Sequence, residues 1–120
     1  MRRVSQRLIL VLLLCPAAAV AAEYFGAIAY SQGKRAHGWG KDYPSRQQAE
    51  KAALANCAKY AEDCSVVVWF KNACGALSLG PKGAGWAWAH KQSDADRAAT
   101  RACAKHSNAC TVTQRMCTKR

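Results

Sequence analysis

Apolar and polar positions in this chain follow short strand-like stretches that twice give way to a helical spacing. Ala27 to Ser31 is a short apolar stretch, Gln32 to Arg35 form a polar turn, and His37 to Lys41 make a second stretch around Trp39. These read as two strands joined by a turn. Pro44 and Ser45 open the next segment, where Ala49, Ala52, Ala53, Cys57 and Tyr60 share one helical face while Glu50, Lys51 and Lys59 fall elsewhere. Ser45 is placed to cap this helix and Gln48 to complete a capping box. A third strand follows at Ser65 to Phe70, where Val66, Val67, Val68, Trp69 and Phe70 form an unbroken apolar run that predicts burial on both faces.

The pattern then repeats. Gln48 to Lys59 aligns without a gap on Asp94 to Lys105, and the register continues from Cys64 to Cys110. Gly26-Ala27-Ile28 corresponds to Gly75-Ala76-Leu77, Gly38-Trp39 to Gly85-Trp86, and Ser65-Val66 to Thr111-Val112. Ala95, Ala98, Ala99, Cys103 and His106 rebuild the helical face, whereas Thr111 to Met116 alternates and predicts a more exposed strand. The expected fold is α+β: a duplicated strand-strand-helix-strand unit giving an antiparallel sheet of about six strands with two helices. The two repeats span roughly residues 24–74 and 75–117 of one domain. Alanine faces bury little area, so they let a helix lie close to its neighbour and leave tryptophans and branched strand residues to fill the core.

The first residues change the picture from folding to destination. Arg2, Arg3 and Arg7 precede the apolar run Leu8 to Leu14 and the small residues Ala17 to Ala22, the three regions of a secretory signal peptide over residues 1–22. Cleavage after Ala22 leaves a single domain of residues 23–120; cleavage after Ala21 fits almost as well. The run is too short to span a bilayer stably, and no transmembrane segment is expected in the mature chain. A lipid anchor on Cys15 is the competing reading, opposed by the bulky Leu14 before it. The expected location is exported, either periplasmic or extracellular.

Six cysteines remain in the mature chain: Cys57, Cys64, Cys74, Cys103, Cys110 and Cys117. In an oxidising compartment three disulfides would each add about 2–4 kcal/mol to a domain too small for a large core. A zinc site is disfavoured, since no CxxC pair occurs and no metal is expected. One symmetric scheme joins Cys57 to Cys64 and Cys103 to Cys110, with Cys74 to Cys117 linking the halves. Another joins Cys64 to Cys74, Cys110 to Cys117 and Cys57 to Cys103, and remains open.

Together the leader, the opening Tyr24-Phe25-Gly26-Ala27-Ile28-Ala29-Tyr30-Ser31, the Gly38-Trp39-Gly40 element, the alanine-rich helix ending in Cys57 and the strand from Cys64 to Val68 resemble a known family. It is that of the small secreted bacterial domains called domain of unknown function 4189. The resemblance covers essentially the whole mature chain and implies a bacterial exported protein. It implies no reaction, cofactor or catalytic residue.

Charge and aromatic content bear on function. Removing Arg2, Arg3 and Arg7 from 18 basic side chains leaves 15 against 7 acidic ones, a charge of about +8. Such a surface attracts anionic polymers, nucleic acid included, without discriminating among them. Lysines are scattered rather than clustered, and specific nucleic-acid reading is not expected. Trp39, Trp86 and Trp88 lie on strands poor in bulk, near Lys41, Lys82 and His90, and predict a basic aromatic face for an envelope polymer or a protein partner. The opposing reading is that these indoles only fill the core.

The leading expectation is thus a non-enzymatic exported interaction protein. One alternative is an inhibitor or immunity protein against an envelope-acting enzyme, inserting the loop Gly80 to Gly85. Another is a small secreted hydrolase such as a ribonuclease using His37, His90 and His106. Glu50 and Asp96 recur at one helical position as a carboxylate pair, with pairing to a cation one turn away as the simpler reading. The chain contains no GxSxG, HExxH or P-loop motif.

Overall fold

A computed structural model describes residues 22–120; the expected signal peptide over residues 1–22 lies, except for Ala22, outside the described residues. Its elements run β1 (Phe25–Tyr30), β2 (His37–Tyr43), α1 (Arg46–Ala58), β3 (Ser65–Lys71), β4 (Cys74–Gly80), β5 (Gly83–Ala89), α2 (Gln92–Ala104) and β6 (Thr111–Cys117). This is the α+β fold with six antiparallel strands and two helices. The strands divide into two sheets, ordered β2-β1-β3 and β5-β4-β6, each belonging to one repeat.

Strand periodicity explains the layering. In β1, Ala27 and Ala29 face α1 with Ala49, Ala53 and Cys57. Ile28 and Tyr30 point the other way, to a core shared with Val68, Phe70, Leu77 and Met116. In the second repeat Cys74 and Ala76 meet Ala95 and Ala99 of α2. The order is therefore helix, sheet, sheet, helix, and the larger side chains lie between the sheets.

Glycine lets the outer layers approach. A Cβ on Gly38 would strike the Cys57 amide nitrogen and lie 2.5 Å from the Ala53 carbonyl oxygen; one on Gly85 would strike the Cys103 nitrogen and lie 2.5 Å from the Ala99 oxygen. Side-chain burial of Ala49, Ala53 and Cys57, and of Ala95, Ala99 and Cys103, completes both helix contacts. Tyr60 and His106, expected on the same faces, are instead exposed beyond the last turn.

Ser45 caps α1 as expected, its hydroxyl accepting from the Gln48 amide at 3.2 Å. The Gln48 side chain returns to the Ser45 hydroxyl rather than to its backbone. In α2 Lys91 holds the capping position without a side-chain bond.

The third strand departs from the expectation of burial on both faces. Ile28 pairs with Val68 while Ala29 pairs with Val66, so Val67 is an extra residue in a bulge. Val68 and Phe70 enter the inter-sheet core, but Trp69 turns to the helix side of an edge strand and stays 39% exposed. There it stacks on Phe25, with ring centroids 6.3 Å apart, beneath the Arg46 guanidinium at 4.4 Å. The corresponding β6 is largely exposed along alternate residues, as its sequence predicts.

Disulfides join Cys57 to Cys64, Cys103 to Cys110 and Cys74 to Cys117. The third does not link the halves. Cys74 begins β4 and pairs directly with Cys117 of β6, whereas Phe25 pairs with Lys71 at the equivalent point of the first sheet. The cysteine after β3 had been grouped with the wrong repeat, because the β3–β4 link is only Asn72 and Ala73.

Candidate functional site

Two turns flank a cleft whose charged side chains are all cationic. Each hairpin turn is held by a residue that follows the helix of its own repeat. In the first repeat the Asp63 carboxylate accepts from the Ser31 hydroxyl and, at 3.0 Å, from the Gly33 amide. These bonds, the Ser31 one first, hold the Asp63 carboxyl below the usual carboxylate range. In the second, the Ser107 hydroxyl accepts from the Lys82 amide at 2.9 Å. Arg35 has a left-handed backbone, φ 57°, and its guanidinium donates to the Gly80 carbonyl at 2.6 Å. This bond crosses from one repeat to the other.

The result is a cleft of about 390 Å³ lined by Tyr30, Gln32, Arg35, Lys82, Gly83, Ala84, Trp86 and His106. Its volume lies within the range of roughly 300–1,000 Å³ typical of small-molecule sites. Tyr30 and Trp86 form its aromatic wall, with ring centroids 6.5 Å apart. Arg35 and Lys82 supply fixed positive charge, and no carboxylate lines the cleft.

The tryptophans expected to make a surface are all partly exposed: Trp39 41%, Trp86 36% and Trp88 51%. They do not form one face. Trp86 shares its cleft with Lys82, whereas Trp88 meets His90 edge to face at 5.6 Å in a separate depression with Trp69, Phe70 and Lys71. Trp39 lies on β2, in a cleft completed by Gln114 of β6, and Lys41 is exposed on the same strand. β5 and its ends thus gather Trp86, Trp88, Lys82 and His90, while Trp39 and Lys41 sit on the edge strand of the other sheet.

The histidines are also separated: His37 lines the Trp39 cleft, His90 the Trp88 depression and His106 the Trp86 cleft. The proposed histidine combination is not assembled. Glu50 bonds to Arg46 on α1, while Asp96 accepts from Gln92 at 2.8 Å and pairs with Arg115 at 3.1 Å, so these carboxylates serve two separate helices. The segment Gly80 to Gly85 is a tight hairpin: Gly80 pairs with Gly83 and leaves only Pro81 and Lys82 in the turn.

The sequence reading missed Tyr30 and Arg35 as members of a site. Tyr30 carried a usable signal, since it shares strand parity with Ile28. Arg35 carried none, because its role depends on a backbone oxygen of the other repeat.

This architecture can be compared with known proteins. The family model for the domain of unknown function DUF4189 matches residues 25–117. The chain belongs to the DUF4189 family. In this member the paired glycines, helix-end disulfides and turn clamps hold the scaffold that carries its clefts. The chain is also similar to Protein Rv1269c of Mycobacterium tuberculosis and Protein Mb1300c of Mycobacterium bovis, 45% identical over 58 residues. That match covers 48% of this chain and 44% of each relative, less than half the length of the relatives. No solved structure matches the chain.

Proposed function

We propose that this DUF4189 protein is an exported, non-enzymatic binding module that holds an anionic envelope polymer in the Trp86 cleft. The observation carrying this reading is the meeting of the Tyr30–Trp86 wall with Arg35 and Lys82 in a cleft without a lining carboxylate. The aromatic wall takes the apolar face of a polymer unit, and the cations take its carboxylate or phosphate. Arg35 is already oriented by Gly80, so little side-chain freedom is lost on binding. The three disulfides suit an oxidising compartment. Among the described residues no helix is long and apolar enough to cross a membrane.

The test separates the cleft from the general positive charge. Polygalacturonate and a polyphosphate are titrated against the full oxidised protein, with tryptophan fluorescence as the signal, at low and moderate salt. Lys82→Ala and Trp86→Ala are expected to weaken binding about tenfold or more. Lys51→Ala, on the exposed face of α1, is expected to change only the salt-sensitive part. Equal losses from Lys82→Ala and Lys51→Ala would show that charge alone attracts the polymer.

A further inference from the structure

We infer that the cleft around Trp39 is a second binding site, made for an uncharged sugar ring. It stands on residues other than those of the anionic cleft and does not depend on that reading. The alignment of the two repeats places Trp39 where Trp86 stands in the other repeat, and Tyr60 where His106 stands. The chemistry of the lining has nonetheless changed. Trp39, His37, Asn56, Tyr60 and Gln114 bring an indole, an imidazole, two amides and a phenol, and Lys59 is the one charged group among the lining residues.

The cleft has a volume of about 330 Å³. Trp39 presents part of its ring to solvent and Tyr60 is 72% exposed, so both aromatic surfaces are available. The Asn56 amide donates to the Trp39 carbonyl at 2.7 Å, fixing the indole-bearing strand against the end of α1. His37 Nδ1 is buried and has no hydrogen-bond partner. A buried polar atom without a partner is uncommon in a folded protein. His37 also lines the cleft, and an exposed imidazole nitrogen pairs with a hydroxyl in either tautomer, since a hydroxyl both donates and accepts.

A pyranose ring supplies the complementary parts. Its C–H face stacks on an indole, and its hydroxyls meet amides, imidazole and phenol around the edge. An apolar peptide would strand the two amides and the imidazole, and an anion would find only Lys59. Neutral sugar is the ligand class that uses the whole lining.

The experiment follows the indole N–H signals of Trp39 and Trp86 by nuclear magnetic resonance in the full oxidised protein. Chitotetraose and maltotetraose are the neutral probes, with polygalacturonate as the charged one. The expected result is a saturable shift of Trp39 with one neutral sugar while Trp86 stays in place. Tyr60→Ala, at an exposed position, and Gln114→Ala should each weaken that shift several-fold to about tenfold, and the unchanged spectrum elsewhere will show that both variants are folded. The proposal is overturned if neither neutral sugar saturates the Trp39 signal at millimolar concentration. It is also overturned if polygalacturonate occupies Trp39 as tightly as the sugar, or if both variants bind like the parent.

Discussion

Single residues in this protein act by what they leave out or hold down. Gly38 is the clearest case, because the atoms a side chain would meet belong to the backbone of α1 and cannot move aside. Gly38→Ala is expected to destabilise the protein by about 1–3 kcal/mol, read as a lower urea midpoint with an unchanged slope. Asp63 works in the opposite sense, by contact. Its carboxyl is held below its ordinary value, so its contribution is present above the unfolded-state pKa of about 3.9 and is lost as pH falls through the lower folded-state value. The stability gap between the parent and Asp63→Ala should therefore narrow as pH drops below about 4, measured by denaturant titration at several acidities. A gap that stayed constant down to pH 2 would assign the effect to packing. Gly38 was legible beforehand as half of a repeated Gly-Trp pair, but its closeness to a helix was not, since sequence spacing carries no inter-element distance.

At the level of elements, the order of strands and helices was legible in the sequence, whereas their division into two facing sheets was not. β1 is a short apolar stretch in sequence, and the structure divides it: Ala27 and Ala29 are small where a helix must come close, while Ile28 and Tyr30 are large where volume is needed. β3 misled because five apolar residues conceal a bulge at Val67, and a bulge depends on pairing with β1 rather than on local composition. Phe70 shows what this register achieves. Its ring occupies the space above Gly26 of one sheet and Gly75 of the other, and it is 1% exposed. Phe70→Ala should cost about 3–5 kcal/mol and loosen both sheets together, seen as parallel loss of amide-exchange protection in β1 and β4. Protection lost from β1 alone would mean that the sheets fold independently. The clefts were half legible in the same way: their tryptophans stand out in the sequence, but Tyr30, Gln32 and Arg35 reach the Trp86 cleft, and Gln114 the Trp39 cleft, from the opposite repeat.

On the scale of the whole molecule, covalent staples stay within repeats, and the halves are held to one another by the core and by hydrogen bonds such as those from Arg35 to the Gly80 carbonyl and from the Lys119 amide to the Asp42 carboxylate. The chain-entropy relation gives about 2 kcal/mol for each bridge spanning seven residues and about 4 kcal/mol for the Cys74–Cys117 bridge, whose cysteines are 43 apart. Replacing Cys74 and Cys117 together by alanine should thus lower the denaturant midpoint more than replacing Cys57 and Cys64. An equal loss would place the stabilisation in local strand and helix contacts rather than in loop closure.

The faces that meet between the sheets raise a last point about freedom. One repeat alone would leave Ile28, Val68 and Phe70 against water, so each repeat supplies the other's missing layer, and the two are joined through Asn72 and Ala73. Two separate identical subunits must carry identical clefts, and every substitution in one appears in the other. Joining the repeats in one chain removes that constraint. Within one chain Arg35 and Lys82 stand beside one tryptophan while His37 and Gln114 stand beside its counterpart, so the two clefts are free to differ.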